Sequence, residues 1–439
     1  MPKVESPYTR IDRTVLDSLR PPSLIYWAVI ALLLLGVATG ALCWIYQIAV
    51  GIGAGGQNIP VAWGTYLINF VFWVGIAHSG TLISAILHLF RAGWRNPIAR
   101  AAETMTVFAV CIAGLFPFIH LGRVWVVFYM LPYPHQRTLW PNFQSPLVFD
   151  VIAISTYLTV SSLFWYTGML PDLATVRDRA SGLRKKIFTV ISLGWTGKHE
   201  QWRHYSRGYL FFAALATPLV ISVHSVVSWD FALGIVPGWH STIFAPYFVA
   251  GAIHSGLAMV LTLMIPLRKI FKFEAFIDMN VLENIAKTII FTGLIVGYAY
   301  MFEYFIAWYS NNVVEQESFV WRALGDYSME FWIMVICNTI IPLFFFVKRI
   351  RRSIPFLLGI SLLVNVGMWY ERFVIIAGGV AHGYMPHAWG LYRPTGIEMG
   401  IMLGSFSLFF VFFLLFAKHL PSMSMTELKE AVGKGAGHA

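Results

Sequence analysis

The sequence predicts an all-α integral membrane protein with ten transmembrane helices, arranged as two four-helix bundles in parallel repeat plus two flanking helices. Three observations support this fold class. Of the 439 residues, 58% are hydrophobic and 12% are charged, whereas a soluble domain has roughly 25% charged residues. The apolar residues form ten runs of about the length that crosses a bilayer, roughly 20 residues. A short motif also recurs in two of these runs.

The spans follow one another along the chain with polar connections between them. The first is far longer than the apolar core of a signal peptide, so we count it as a span. The predicted spans cover residues 24–50, 64–91, 101–130, 146–170, 208–235, 244–267, 283–309, 327–347, 355–376 and 395–417. The remaining long polar segments are an N-terminal segment 1–23, a basic loop 171–206 and a tail 421–439. We expect the tail to be mobile.

Lysine and arginine divide the connections into two classes. The N-terminal segment and the loops that follow the even-numbered spans are basic, whereas the opposite loops contain only Arg137, Arg322 and Arg393. Because basic loops resist translocation, we predict that both termini are cytoplasmic in a bacterial inner membrane. The net charge of +10 therefore indicates contact with membrane lipid and not with nucleic acid, which would need a basic patch on a soluble surface.

The recurring motif indicates an internal repeat. The sequence GIAHSG at 75–80 recurs as GAIHSG at 251–256, an offset of 176 residues. Both copies lie in spans that run inward, and each precedes a basic loop and an acid early in the next span. We therefore predict a first four-helix bundle at 64–235 and a second at 244–376 in the same orientation. Spans 24–50 and 395–417 flank them.

Five polar side chains are predicted to lie at similar depth near the external ends of three adjacent spans. They are His120, Arg123, Asp150, His224 and Asp230. Ionisable groups inside a membrane are costly, which makes each a candidate for function. Each also has a plainer interpretation, as a carboxylate at a helix N-terminus, a buried structural histidine or an interfacial arginine. His224 and Asp230 are six residues apart, about 120° around a helix, so both cannot point directly into one pocket.

A second set of ionisable residues lies deeper or toward the cytoplasm. His78, Glu103, His254 and Glu283 are candidates for a proton relay, or they could form hydrogen bonds between closely packed helices. The adjacent Glu371 and Arg372 are interpreted as a local ion pair or an interfacial anchor.

The sequence indicates redox chemistry without a cofactor of its own. The cysteines Cys43, Cys111 and Cys337 are far apart, and no Cys-x-x-Cys-His motif is present, so we expect this chain to bind neither haem, an iron–sulfur cluster nor a metal. A pocket of imidazole and carboxylate groups at the membrane edge suits a quinol. Quinol oxidation releases two protons, which these groups can accept, and two electrons, which another subunit must take.

Several stretches resemble the NrfD/polysulfide-reductase family of membrane subunits, and the chain is most similar to the ActC-type quinol-binding subunit of bacterial alternative complex III. The stretches are the repeated GxxHSG motif, the sequence PFIHLGR at 117–123, the pair Phe149-Asp150 and the sequence VHSVVSWD at 223–230.

The resemblance implies a quinol-oxidising subunit that is not active alone. It implies a quinol site on the periplasmic side, for menaquinol or ubiquinol, in which His120, Asp150 and Asp230 act in catalysis and Arg123 and His224 also contact the quinol. Electrons would pass to a periplasmic iron–sulfur subunit and then to c-type cytochrome subunits. A second NrfD-like membrane subunit and a terminal oxidase are further candidate partners, and proton translocation is a candidate coupled function.

Two alternatives stay open from the sequence. One is a membrane anchor of a molybdenum reductase of the polysulfide reductase type. The other is a secondary transporter with a midplane site at His78 and His254. Purification discriminates between them, because a transporter is isolated alone whereas a redox subunit is isolated with its electron-transfer partners.

The predicted topology can be tested by cysteine labelling in intact cells. The charge asymmetry places Gln57, Trp239 and Asn312 outside and Lys185 inside. A membrane-impermeant maleimide should therefore label Gln57→Cys and Asn312→Cys and leave Lys185→Cys unlabelled until the membrane is permeabilised. Strong labelling of Lys185→Cys in intact cells would show that the orientation is reversed.

Overall fold

The computed structural model describes residues 6–131 and 145–436, and every regular element in these two stretches is a helix. Ten helices are long and apolar enough to cross a membrane, which confirms the predicted fold class. Numbered one to ten in chain order, the spans found among the described residues are Leu24–Val50, Thr65–Leu89, Gly93–His120, Pro146–Arg179, His199–Ala232, Phe244–Ile270, Met279–Tyr309, Ser328–Phe346, Ile354–Ala381 and Gly396–His419. The chain is a multi-pass membrane protein.

Shorter helices lie at the ends of the spans. Four of them are an N-terminal helix, an interface helix between spans four and five, a cap helix between spans seven and eight, and a C-terminal helix. Their bounds are, in that order, Pro7–Ser18, Gly182–Ile191, Val313–Leu324 and Met425–Ala436. Spans two and eight each contain one π-helical turn, at Leu82–Ile86 and Ile336–Ile340. A turn of this kind widens the helix locally and redirects its side chains.

Span three ends earlier than the apolar run predicts. Its helix stops at His120 because Gly122 adopts a φ of +68°, a left-handed conformation that terminates helices. A 3-10 helix follows at Val124–Met130. His120 is therefore a helix-terminal residue and not a mid-helix one.

Spans four and five are longer than predicted and continue into the expected loop 171–206. Hydropathy detects only the apolar part of a helix, so it misses polar turns that extend beyond the apolar run.

The spans pack in two closed rings. Spans two, three, four and five contact one another in order, and span five also contacts span two; spans six to nine form a second ring in the same way. Span two packs against span six, which joins the rings, and span one packs against span ten. The domain boundaries proposed from the repeat stay predictions. Of the connection between spans three and four, which is predicted to be external, residues 132–144 lie outside the described residues.

The repeated motif forms the contact between the two rings. The Ser79 hydroxyl donates a hydrogen bond to the carbonyl oxygen of Ile253 at 2.7 Å. A Cβ atom on Gly256 would lie 2.7 Å from the carbonyl oxygen of Ile76, so only glycine allows the backbones to approach this closely. Small residues at such crossings are typical of membrane helices.

The C-terminal tail is ordered by contacts, which corrects the expectation that it is mobile, as far as residue 436. Its helix packs against the N-terminal helix and the ends of spans three and four. Glu427 pairs with the buried Arg95 at 2.8 Å, and Lys429 pairs with Asp12 at 2.6 Å. Polar composition predicted mobility, but these charges have specific partners that are distant in sequence.

Span one depends on a glycine crossing with span ten. A Cβ atom on Gly40 would lie 2.6 Å from the Cα atom of Gly404. We expect Gly40→Leu to force the two helices apart and to cost about 1–3 kcal/mol or more. The free energy of unfolding in detergent, followed by tryptophan fluorescence, measures this cost. Gly359→Leu is the matched control, because a Cβ atom there meets open space; equal losses in both variants would contradict the crossing.

Candidate functional site

Three predicted site residues lie on the same face of the protein, at the ends of adjacent spans in the first ring. His120 is the last residue of span three, Asp150 lies in the second turn of span four, and Asp230 lies in the last turn of span five. Since spans three and five run in one direction and span four in the other, all three residues lie at the face predicted to be external. We call these three residues the outer site.

Asp150 and Asp230 form a carboxyl pair. Asp150 is only 4% exposed, and its carboxyl group lies close enough to that of Asp230 for the two groups to interact electrostatically. In the described part of the chain no donor reaches either oxygen of Asp150 or the Oδ1 atom of Asp230. Two carboxyl groups can bond to each other only when one of them holds a proton. Two neighbouring carboxyl groups of this kind can share a proton.

His120 is held in place by residues that the sequence did not single out. The Gln47 side chain of span one donates a hydrogen bond to the carbonyl oxygen of Ile119 at 2.8 Å, and the Tyr66 hydroxyl of span two donates to Gln47. All of Gln47 is buried. The Nδ1 atom of His120 is buried and has no hydrogen-bond partner among the described residues. The Gln47 contact therefore holds the backbone next to His120, and the unpartnered ring nitrogen can accept a proton from a bound molecule.

The structure does not bring Arg123 and His224 into contact with the carboxyl pair. Arg123 follows the end of span three and is exposed, and no ion pair within residues 6–131 and 145–436 joins it to Asp150 or Asp230. His224 is fully buried beside His78, with ring centroids 4.4 Å apart. The six-residue offset from Asp230 thus turns His224 toward the middle of the protein.

A central polar cluster lies between the two rings. It includes both motif histidines, and its seven members are His78, His224, His254, Tyr300, Asn338, Glu371 and Arg372, each at most 6% exposed. His78 lies next to His224 of its own ring. His254 bonds to the Thr292 hydroxyl at 2.9 Å, also within its own ring. The two copies of the motif therefore place one histidine in each ring.

Arg372 is the charge at the centre of this cluster. It pairs with Glu371, which also accepts a hydrogen bond from the Tyr300 hydroxyl. The Asn338 amide, on the π-helical turn of span eight, donates to Tyr300 at 2.9 Å. The guanidinium also lies 5.5 Å from the centroid of the Phe248 ring.

Glycines of both copies of the repeated motif lie beside this arginine. Cβ atoms on Gly75 and Gly251 would lie 3.6 and 3.4 Å from the same terminal nitrogen of Arg372. The interpretation of Glu371 and Arg372 as a local ion pair is confirmed, and that of an interfacial anchor is wrong, because both side chains are buried. Two adjacent charges in an apolar run were the sequence signal that could have identified the cluster.

Glu103 and Glu283, the acids of the predicted relay, lie toward the opposite ends of their spans in separate ion-pair networks. Glu103 accepts hydrogen bonds from Arg100 at 3.3 Å and Tyr209 at 2.8 Å. Glu283 pairs with Arg351 at 2.8 Å and with Arg352 and Lys287. No hydrogen bond in the described chain links either acid to His78 or His254. The four-residue relay stays a prediction.

No metal site is formed by the described residues, since no three His, Cys, Asp or Glu side chains there could hold one ion. The three cysteines are unpaired.

Comparison with known proteins identifies relatives along most of the chain. The family model described as polysulphide reductase, NrfD matches residues 53–382. The chain is 26% identical over 419 residues to a putative dimethyl sulfoxide reductase membrane subunit of Halobacterium salinarum, and the match covers 90% of this chain and 91% of the relative. It is 22% identical over 365 residues to a probable Ni/Fe-hydrogenase 2 b-type cytochrome subunit of Escherichia coli, with 82% and 83% covered.

The central cluster predicts a large stability effect for Arg372. Arg372→Ala leaves Glu371 buried without its cation, so we expect a loss of about 3–5 kcal/mol in the free energy of unfolding. Thermal unfolding in detergent, followed by size-exclusion chromatography, measures the loss. Arg393→Ala is the control, because Arg393 is exposed and its removal should change stability by less than about 0.5 kcal/mol. Equal stability of the two variants would show that Arg372 is not a structural charge.

Proposed function

The chain belongs to the NrfD polysulphide reductase family, and from this premise we propose that it is the quinol-oxidising membrane subunit of a respiratory complex of the alternative complex III type. A role as a membrane subunit within an oxidoreductase agrees with the names of both relatives. The quinol site, the direction of the reaction and the type of complex are the proposal.

The carboxyl pair of the outer site is the observation that carries the proposal. A quinol head group offers two hydroxyl donors. In the outer site, His120 and Asp150 provide acceptor atoms that have no hydrogen-bond donor among the described residues. His120 takes the hydrogen of one hydroxyl and Asp150 takes that of the other. The contact with Asp230 then passes a proton on toward the predicted external face.

The two electrons must leave through another subunit. We propose a periplasmic iron–sulfur subunit on the predicted external face, which delivers electrons to c-type cytochrome subunits. The second NrfD-like membrane subunit and the terminal oxidase belong to the same proposal. Coupled proton translocation is supported by the buried ring nitrogens of His78, His224 and His254 that have no partner among the described residues.

A second candidate function is favoured by the relative named as a dimethyl sulfoxide reductase membrane subunit. We propose as the alternative that this chain anchors a molybdenum reductase and delivers electrons to it from the same quinol site. The partner that is purified with the chain decides between the two, since the first proposal requires c-type haem subunits and the second a molybdenum subunit. A chain that is purified without redox partners and oxidises no quinol would favour the transporter.

Substitutions in the outer site test the quinol reaction. We expect His120→Ala and Asp150→Asn each to lower quinol turnover roughly 100-fold or more, which is the usual effect of losing a general base. Asp230→Asn should have a smaller effect because water can replace it in the exit path. The measurement is quinol-dependent reduction of an electron acceptor by the purified complex.

Glu303→Gln is the matched control for these variants. Glu303 is a buried carboxyl group of span seven, in the second ring, with an oxygen that likewise has no partner among the described residues. Its replacement should leave turnover nearly unchanged. Wild-type turnover in an assembled double variant His120→Ala, Asp150→Asn would overturn the site assignment.

A further inference from the structure

A cleft of about 420 Å³ lies at the opposite face from the outer site, where span one begins and span ten ends. Its walls come from three places that are distant in sequence, namely the segment after the N-terminal helix, the interface helix and the end of span ten. Four basic side chains line it, and no acidic side chain does. The four are Arg20, Arg184, Lys418 and His419.

Two of these cations have no acidic partner within the described chain. Arg184 donates a hydrogen bond to the Leu19 carbonyl oxygen at 3.3 Å, and the Lys418 ammonium donates to the Ser18 carbonyl oxygen at 3.0 Å. Lys418 also lies 5.6 Å from the Phe271 ring centroid. The carbonyl contacts stabilise the C-terminal end of the N-terminal helix. The contact with Leu19 uses one of the five N–H donors of the Arg184 guanidinium. Because Arg184 is exposed, its other donors remain available for a ligand.

The cleft also has an apolar wall that continues onto the membrane surface. Leu183 and Ile187 of the interface helix line it and are 74% and 50% exposed, and the neighbouring Val190 is 72% exposed. At 100° per residue these three side chains form one stripe of the helix. An apolar stripe beside basic residues is typical of helices that lie in the membrane interface.

We propose that this cleft binds an anionic phospholipid, with the phosphate between Arg184 and Lys418 and the acyl chains against Leu183 and Ile187. A soluble anion would use the cations but gain nothing from the apolar wall, and a zwitterionic lipid would use the wall but bring no net charge. Basic pockets at helix ends on the cytoplasmic side are typical sites for anionic head groups. The bound lipid would join the N-terminal helix, the interface helix and span ten.

The test compares two double variants that remove the same charge. The protein, purified with its partners, is placed in phosphatidylcholine nanodiscs, and binding of added phosphatidylglycerol is followed by native mass spectrometry. Arg184→Gln, Lys418→Gln should weaken binding roughly 30-fold, at about five-fold per charge near a membrane surface. Lys185→Gln, Lys186→Gln is the control, because these two residues lie on the same helix but do not line the cleft. Equal weakening by both would overturn the site and indicate a general surface charge effect.

Two further variants keep the proposal testable if the first double variant does not fold. Ile187→Ser leaves every cation in place and should still weaken phosphatidylglycerol binding, whereas Arg184→Lys, which keeps the charge, should preserve it. Full binding by Ile187→Ser would overturn the acyl-chain contact. Displacement of the lipid by millimolar inorganic phosphate would indicate a soluble-anion site and would overturn the lipid assignment. Quinol turnover does not enter these measurements, so the proposal stands or fails independently of the outer site.

Discussion

The structure depends on one buried charge, the guanidinium of Arg372, which lies where the two rings meet. A charge in the membrane interior must be paired, and breaking such a pair costs several kcal/mol. Glu371 supplies the counter-charge, Tyr300 and Asn338 donate hydrogen bonds to Glu371, and glycines of both motif copies lie beside the guanidinium. Residues of five spans, namely two, six, seven, eight and nine, therefore surround one ion pair.

The repeated motif builds a symmetric frame that carries an asymmetric site. Ser79 and Gly256 bring spans two and six into close contact, and the motif histidines lie in equivalent places, one in each ring. At the outer ends the symmetry is lost. The first ring places Asp150 near Asp230, whereas the buried Glu303 near the outer end of span seven in the second ring has Arg322 within electrostatic range. The two rings therefore differ in the polar groups at their outer ends.

The opposite face is closed by ion pairs between distant parts of the chain. Glu427 of the C-terminal helix reaches Arg95 at the start of span three, and the Tyr209 hydroxyl lies within hydrogen-bonding distance of both Glu427 and Glu103. These contacts hold Glu103 in a network that is separate from the central cluster. The two faces therefore differ, since the predicted external face has unpartnered acceptors among the described residues whereas the other face has ion-pair networks and a basic cleft.

The sequence alone predicts the ten spans, the charge asymmetry of the loops and the placement of His120, Asp150 and Asp230 near the ends of their helices. Each of these follows from hydropathy and position along the chain. The fold was needed to show that Asp150 lies near Asp230, that His224 turns toward His78, that Arg372 is central and that the tail is docked. Such contacts depend on how each helix is rotated about its axis. That rotation is fixed by packing against helices that are distant in sequence, and hydropathy does not record it.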